Sequence, residues 1–226
     1  MLRIINLKDW YLFKLMLYVA HRGYSLEYID NSIEAISEAV KRGYAGVEID
    51  VQMCKTGELI LYHDTYVANS FVSDISLSDA KIMGIITLEE MYAKIPGIED
   101  VKLILDIKGN NSSVVHALST FYETRSTKNV TFCSFNRKIL FLLPMHFKKG
   151  TTFEAVFYTD EYDMMTRNLS AVIIHWTCLD HSFISYCKYK DIEVYTYTHK
   201  EEKELEHMRK YNVDYVITNG ISLKDK

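Results

Sequence analysis

Short apolar runs alternate with longer amphipathic ones along the chain. The runs LMLYVA (15–20), GVEIDVQ (46–52), VKLILDI (101–107), NVTFCS (129–134), GTTFEAV (150–156), SAVIIHW (170–176), IEVYTYT (192–198) and DYVIT (214–218) read as strands. Most are apolar at nearly every position, as parallel strands covered on both faces are. Helical spacing marks the segments 31–43, 87–95, 112–123, 137–145, 180–190 and 200–211. The first of these opens on a capping residue and closes on glycine. Eight strands separated by helices predict an α/β fold with a parallel sheet, and eight such units fit a (β/α)₈ TIM barrel. A doubly wound open sheet uses the same elements and is the alternative. No linker, charge block or internal repeat interrupts the pattern, so one domain over 1–226 is expected. Two additions are predicted: a short N-terminal helix, Asn6 to Phe13, and a turn with an extra hairpin strand after strand 2, at 55–64.

Composition narrows the class. The chain has 226 residues, 48% hydrophobic and 25% charged, with two prolines, which is globular and long enough for one substantial core. Net charge is −4 and the pI about 6.1, so no nucleic-acid partner is expected. Cys54, Cys133, Cys178 and Cys187 form neither a CxxC pair nor a zinc pattern, and four reduced thiols are expected. The apolar stretch at 10–20 is interrupted by Lys14 and is too short to span a bilayer. A cytoplasmic protein without a stable membrane anchor is the expectation; the oligomeric state is not readable.

A barrel builds its site at the C-terminal ends of the strands. Strand 1 ends on His21-Arg22, the second strand carries Glu48 and Asp50, the extra strand ends on His63-Asp64, and the next strand carries Asp106 and Lys108. Residues two apart share one face of a strand, here the barrel interior. Three converging carboxylates repel, and burying them as ions is costly. One divalent ion resolves both problems, and an all-oxygen set favours Mg²⁺ or Ca²⁺. A structural salt-bridge network with Arg22 and Lys108 is the competing account. Two histidines beside such a centre suit acid–base work on a phosphate ester, with Arg22 gripping its oxygens and Lys108 adding charge. Glu154 is a further candidate for the interior. His175 reads as a packed histidine, and His116, His146, His181, His199 and His207 read as surface residues.

The stretches AHRG (20–23), DNSIEAISEAVKRGYAGVEIDVQMCKTGELILYHD (30–64), ITLEEM (86–91), LILDIKG (103–109), VTFCSF (130–135) and VDYVIT (213–218) resemble the glycerophosphodiester phosphodiesterase family. The resemblance implies a (β/α)₈ barrel and a metal-dependent hydrolase that splits glycerophosphodiesters into glycerol phosphate and an alcohol. It implies a small-molecule phosphodiester substrate, His21 and His63 as the catalytic pair, Arg22 and Lys108 as phosphate-binding residues, and Glu48, Asp50 and Asp106 as metal ligands. The region of the family's usual insertion, between His63 and the next barrel strand, is short, which implies an open substrate entrance. The chain departs from the family pattern at Asp30 and Asp106, where glutamate is usual. It departs also at Asn69 for arginine, at Tyr197 for tryptophan, and at Asn219-Gly220-Ile221 for an acid, a base and proline. Two other functions fit the same residues: a lyase or transferase that stops at a cyclic phosphate, as sphingomyelinase D-like relatives do, and a non-catalytic phosphate-binding barrel.

Overall fold

The computed structural model describes residues 16–220. The expected N-terminal helix at Asn6 to Phe13 lies outside the described residues. Eight parallel strands close into a barrel: β1 (Leu17–His21), β2 (Gly46–Met53), β6 (Lys102–Ile107), β7 (Val130–Ser134), β8 (Lys148–Phe153), β9 (Ala171–His175), β10 (Glu193–His199) and β11 (Tyr215–Thr218). β1 pairs with both β11 and β2, which closes the ring and excludes the open sheet.

Side-chain parity explains the closure. Val47, Ile49 and Val51 of β2 and Leu103, Leu105 and Ile107 of β6 point outward into one large core beneath the helices. Val19, Ile104, Cys133, Ala171, Ile173, Tyr195 and Ile217 fill the barrel itself. Strands apolar on both faces are thus buried twice, once against helices and once against each other. At Gly150 an added Cβ would lie 2.6 Å from Ile173 Cδ1, so a side chain there would have to push that isoleucine aside.

The helices are α1 (Ile33–Lys41), α2 (Leu77–Ile82), α3 (Leu88–Lys94), α4 (Ser113–Tyr122), α5 (Arg137–Leu142), α6 (Tyr162–Thr166), α7 (His181–Tyr189) and α8 (Glu202–Met208). Six correspond to the sequence pattern, and α2 and α6 are additional. Both are short, so neither shows two full turns of periodicity. Ser32 caps α1 by accepting from the Ala35 amide at 3.1 Å. α5 stops at Leu142 rather than Met145, because Pro144 disfavours helical backbone in the residue before it.

The extra strand is β3 (Leu59–Leu61), antiparallel to the upper part of β2. It descends toward the site and delivers His63. A small hairpin follows, β4 (Tyr66–Val67) and β5 (Ser70–Phe71). Its two-residue turn has φ +45° at Ala68 and +67° at Asn69. An asparagine suits that conformation, so Asn69 is a turn residue here. All four cysteines are free. Among the described residues no helix is long and apolar enough to cross a membrane.

Candidate active site

Register brings the acids together. In the β2–β6 pair Asp50 stands directly beside Asp106, and in the β1–β2 pair His21 stands beside Glu48. Glu48, Asp50 and Asp106 are all buried, and each offers a carboxylate oxygen within 4.8 Å of the others. Lys108 Nζ lies 3.0 Å from Asp50 Oδ1 and 2.5 Å from Asp106 Oδ2. Arg22 Nε lies 3.2 Å from Asp50 Oδ2, and its terminal nitrogen reaches Asp30 Oδ2 at 2.8 Å.

The backbone leaves β1 through left-handed conformations at Arg22 (φ +57°) and Gly23 (φ +81°). A Cβ at Gly23 would sit 2.5 Å from the Ala35 carbonyl carbon, so only glycine lets the turn close onto α1. The turn aims the Arg22 amide at Glu48 Oε2, 3.1 Å away. This is why the strand ends in Ala20-His21-Arg22-Gly23: the turn converts a strand end into an amide, an imidazole and a guanidinium facing the acids.

The charges do not balance. Three carboxylates face the two cations Arg22 and Lys108, and Asp106 Oδ1 is buried with no hydrogen-bond partner. Burial, then the adjacent Asp50, pushes the Glu48 carboxyl well above its usual range. Burial also raises Asp106, against the opposing pull of Lys108. Asp50 goes the other way: burial would raise it, but Lys108, Arg22 and Asn31 together outweigh that and hold it low. Lys108 is raised, since its three acids outweigh its own desolvation. An all-oxygen cluster with an orphaned buried carboxylate oxygen and residual negative charge fits a hard divalent ion.

The two histidines sit in different settings. His21 Nδ1 contacts Asn219 Oδ1 at 2.5 Å, and its Nε2 lies 3.9 Å from Glu48 Oε2. Burial, with Arg22 next, lowers its pKa to about 4. His63 is more open and contacts Asp64 Oδ1 through Nδ1 at 2.7 Å. His21, Arg22, Glu48, His63, Asp106 and Lys108 all border one cavity of about 190 Å³, whose other walls include Ile104, Phe135, Ile173, Tyr197 and Ile217.

A model of the glycerophosphoryl diester phosphodiesterase family matches residues 21–223. The chain belongs to that family. A glycerophosphodiester phosphodiesterase of Caldanaerobacter subterraneus subsp. tengcongensis is 27% identical, covering 90% of this chain and 93% of that protein. The human glycerophosphodiester phosphodiesterase 1 is 26% identical over 144 residues, 54% of this chain and 44% of that protein. Among solved structures, the enzyme of Thermotoga maritima superposes with a TM-score of 0.79 at 22% identity, covering 92% of this chain and 96% of that one. A phosphodiesterase of Oleispira antarctica, solved with its product sn-glycerol-3-phosphate, gives 0.80 at 20% identity, covering 90% of this chain and 92% of that one. At those identities the superpositions establish the fold.

Against the phosphodiesterase family pattern, the departures fall in different places. Asp106 is in the acid cluster, whereas Asp30 is half-exposed and holds Arg22. Tyr197 lines the cavity and its hydroxyl donates to the Phe153 carbonyl at 3.3 Å. Asn69 is in the exposed hairpin turn, and Asn219 is at His21. Glu154 does not join the acids; it is largely exposed, 3.9 Å from His175. His199 is not a surface residue. It is fully buried, with Nε2 2.8 Å from Thr196 Oγ1. Its register in β10, rather than in the following helix, takes it inside.

Three contributors escaped the sequence reading. Asn31 grips Asp50 twice, its amide donating to Oδ2 at 2.8 Å and its oxygen accepting the Asp50 N–H at 3.0 Å. Gln52 donates to the carbonyls of Tyr62 and Asp64, pinning the His63 segment. Asn219, a departure from the family pattern, is the partner of His21 Nδ1. Parity could have found Gln52, which continues the inward face of Glu48 and Asp50. Nothing local marks Asn31 or Asn219, whose partners are distant in sequence.

Proposed function

We propose that the chain hydrolyses glycerophosphodiesters to glycerol phosphate and an alcohol, with His21 and His63 as the proton-transfer pair, Arg22 and Lys108 on the phosphate, and Glu48, Asp50 and Asp106 holding one divalent ion, Mg²⁺ or Ca²⁺. The observation that carries this reading is the shared cavity: both histidines, both cations and two of the acids open onto it together. When bound, the ion supplies positive charge to the phosphoryl oxygens.

The chain's own residues perform the rest. Asn219 Oδ1 can only accept, so His21 Nδ1 carries the proton and its Nε2 keeps a lone pair. A pKa of about 4 keeps that imidazole neutral at pH 7, the state a general base needs. His63, turned by Asp64 so that Nε2 is left free, gives a proton to the leaving alkoxide. Arg22 offers its fork to two phosphate oxygens while Asp30 and Asp50 fix its direction. The tyrosine at 197 closes one wall without a free hydroxyl, since that group is bonded to Phe153.

The test is product analysis by phosphorus NMR on a soluble glycerophosphodiester, before and after EDTA. Glycerol phosphate is expected, with turnover lost on chelation and restored by Mg²⁺ or Ca²⁺. A cyclic phosphate product would overturn hydrolysis in favour of intramolecular transfer, and full turnover under EDTA would overturn the metal.

A further inference from the structure

A second pocket, of about 350 Å³, opens beside the candidate active site, between the β4–β5 hairpin and the loop from β6 to α4. Lys108 is a wall of both cavities. The chain joins them a second time, since His63 borders the first cavity and Thr65 borders the second. Their linings differ in kind. Around its charged groups the first is faced by Ile104, Phe135, Ile173 and Ile217. The second presents Thr65, Ser73, Asn110 and Asn111. Among the described residues on its wall Lys108 alone is charged, and none is a carboxylate.

Local contacts fix both walls and leave their polar tips unused. The Val72 amide donates to the Thr65 carbonyl at 3.0 Å and the Val72 side chain is buried, which seats the hairpin. Across the pocket β6 runs into a left-handed turn at Gly109 (φ +74°), where an added Cβ would just touch Thr65. Asn136 donates to Asn110 Oδ1 at 2.9 Å, and Asn111 Oδ1 accepts the Ser113 amide at 3.0 Å. With that oxygen engaged, Asn111 keeps its NH₂ to offer. Among the described residues neither this group nor the Thr65 and Ser73 hydroxyls has a hydrogen-bond partner. All three residues are exposed, so their polar ends meet whatever fills the pocket.

A substrate held for the proposed chemistry spans the two spaces. Arg22 and Lys108 take the phosphate, and His63 protonates the alcohol that leaves. That alcohol stands on the His63 side, where the chain runs on to Thr65 and the second pocket. What it meets there is hydroxyl and amide. An alcohol with further hydroxyls both donates to such groups and accepts from them. A quaternary ammonium can do neither. It is held by aromatic faces or a carboxylate, and here it meets the charge of Lys108. The one ring in this wall, Phe71, already packs edge to face on Tyr66, with centroids 5.4 Å apart. We propose that this pocket is the head-group subsite and that it selects diesters of uncharged polyhydroxy alcohols, such as glycerol or a cyclitol, over those of choline. This rests on the hydrolysis proposed above and names its leaving group. The P–O bond to the polyol breaks, the oxygen of one water joins phosphorus, and the polyol leaves with the proton from His63.

The experiment measures binding first and turnover second. Calorimetric titration with Mg²⁺ present uses the full chain carrying His21→Ala, which holds a diester without cleaving it. Glycerophosphoglycerol, glycerophosphoinositol and glycerophosphocholine are the probes. Both polyol diesters should bind at least about tenfold more tightly than the choline diester, the scale of two hydrogen bonds. Adding Thr65→Val and Ser73→Ala removes two hydroxyls with little change of shape. Polyol binding should then weaken about tenfold, with the choline diester within about twofold. Asn111→Asp keeps the oxygen that receives the Ser113 amide and adds a carboxylate; it should tighten binding of the choline diester about threefold. With His21 restored, the same ratios should appear in kcat/KM. Equal binding of the three diesters, or binding of none, overturns the subsite. So does a double variant that loses polyol and choline diesters alike, or neither. If that variant does not fold, as circular dichroism would show, Asn111→Asp decides: an unchanged ratio of choline to polyol binding overturns the subsite. A wild type that turns over none of the diesters instead sinks the function proposed above, and the binding ratios are read independently of it.

Discussion

At the bottom of the barrel interior one lysine meets one carboxylate; at the top two cations meet three. Lys102 Nζ reaches Glu193 Oε1 at 2.8 Å and Oε2 at 3.0 Å, and the Tyr215 hydroxyl at 2.8 Å. Tyr195 donates to Glu193 at 2.8 Å, its ring stacks on Tyr215 with centroids 4.4 Å apart, and the ammonium lies 4.2 Å over the Tyr215 ring. In this lower group charge and hydrogen bonds close on themselves. In the upper group Asp106 Oδ1 has no hydrogen-bond partner and Glu48 is pushed far up by burial and by Asp50. A buried polar cluster that satisfies itself holds a barrel together. One that is left with excess negative charge toward a cavity has capacity for a ligand.

The comparison breaks most sharply at the histidines of the upper end. His21→Ala or His63→Ala should lower kcat by about 10²- to 10⁴-fold with the fold retained, measured by steady-state kinetics beside circular dichroism. Near-normal turnover in either variant removes that histidine from proton transfer.

The acids come next. Asp106→Ala should weaken divalent-ion binding by more than about 100-fold in calorimetric titration, beyond the usual loss from an outer-shell partner. Asp106→Glu should keep binding and move preference toward the smaller Mg²⁺, since the longer arm suits a tighter octahedron. Unchanged affinity in the alanine variant would leave the cluster to Glu48 and Asp50.

The lower group should respond in the opposite currency. Lys102→Met leaves Glu193 without its cation and should cost about 1–3 kcal/mol of stability. The melting temperature should drop by about 2–12 °C, with kcat/KM within about twofold of wild type. A large loss of activity at unchanged stability would mean that the lower cluster serves the reaction after all.

The smallest effect concerns His199, a buried histidine near the upper end that faces no substrate. Its carbonyl accepts from the Thr218 hydroxyl at 2.9 Å and the Asn219 amide at 3.2 Å, steadying the segment that holds His21. Burial lowers its pKa from 6.5 to about 4, against an opposing pull from Glu204. The unfolded chain therefore takes up a proton below pH 6.5 that the folded chain refuses until about pH 4. The corresponding stability is present above pH 6.5 and is lost as pH falls toward 4. Chemical unfolding should show about 1–2 kcal/mol of this loss between pH 7 and 5. His199→Gln should make that part of the profile about half as steep, because His21, lowered to the same value, keeps its own share.

The sequence alone determined the eight strand–helix units, because apolar runs separated by helical spacing are a local property that each segment carries by itself, while the pairing of β1 with both β2 and β11 decided the barrel over the open sheet. It also marked His21, Arg22, Glu48, Asp50, His63, Asp106 and Lys108, since strand ends and two-residue parity put them on one face of one rim. It did not show α2, α6 or the β4–β5 hairpin, which are too short to display a period. It placed His199 outside, because the end of β10 is set by pairing with β11 and not by its own residues. Only the tertiary structure decided that Asn31 clamps Asp50, that Asn219 reaches His21 from 198 positions away, and that Glu154 stays apart from the acids. Only the closed barrel brings β1, β2, β6 and β11 to one mouth, and the strand register then sets each side chain's height there. Pattern gives a residue its face; closure and register give it its neighbours, and the chemistry depends on the neighbours.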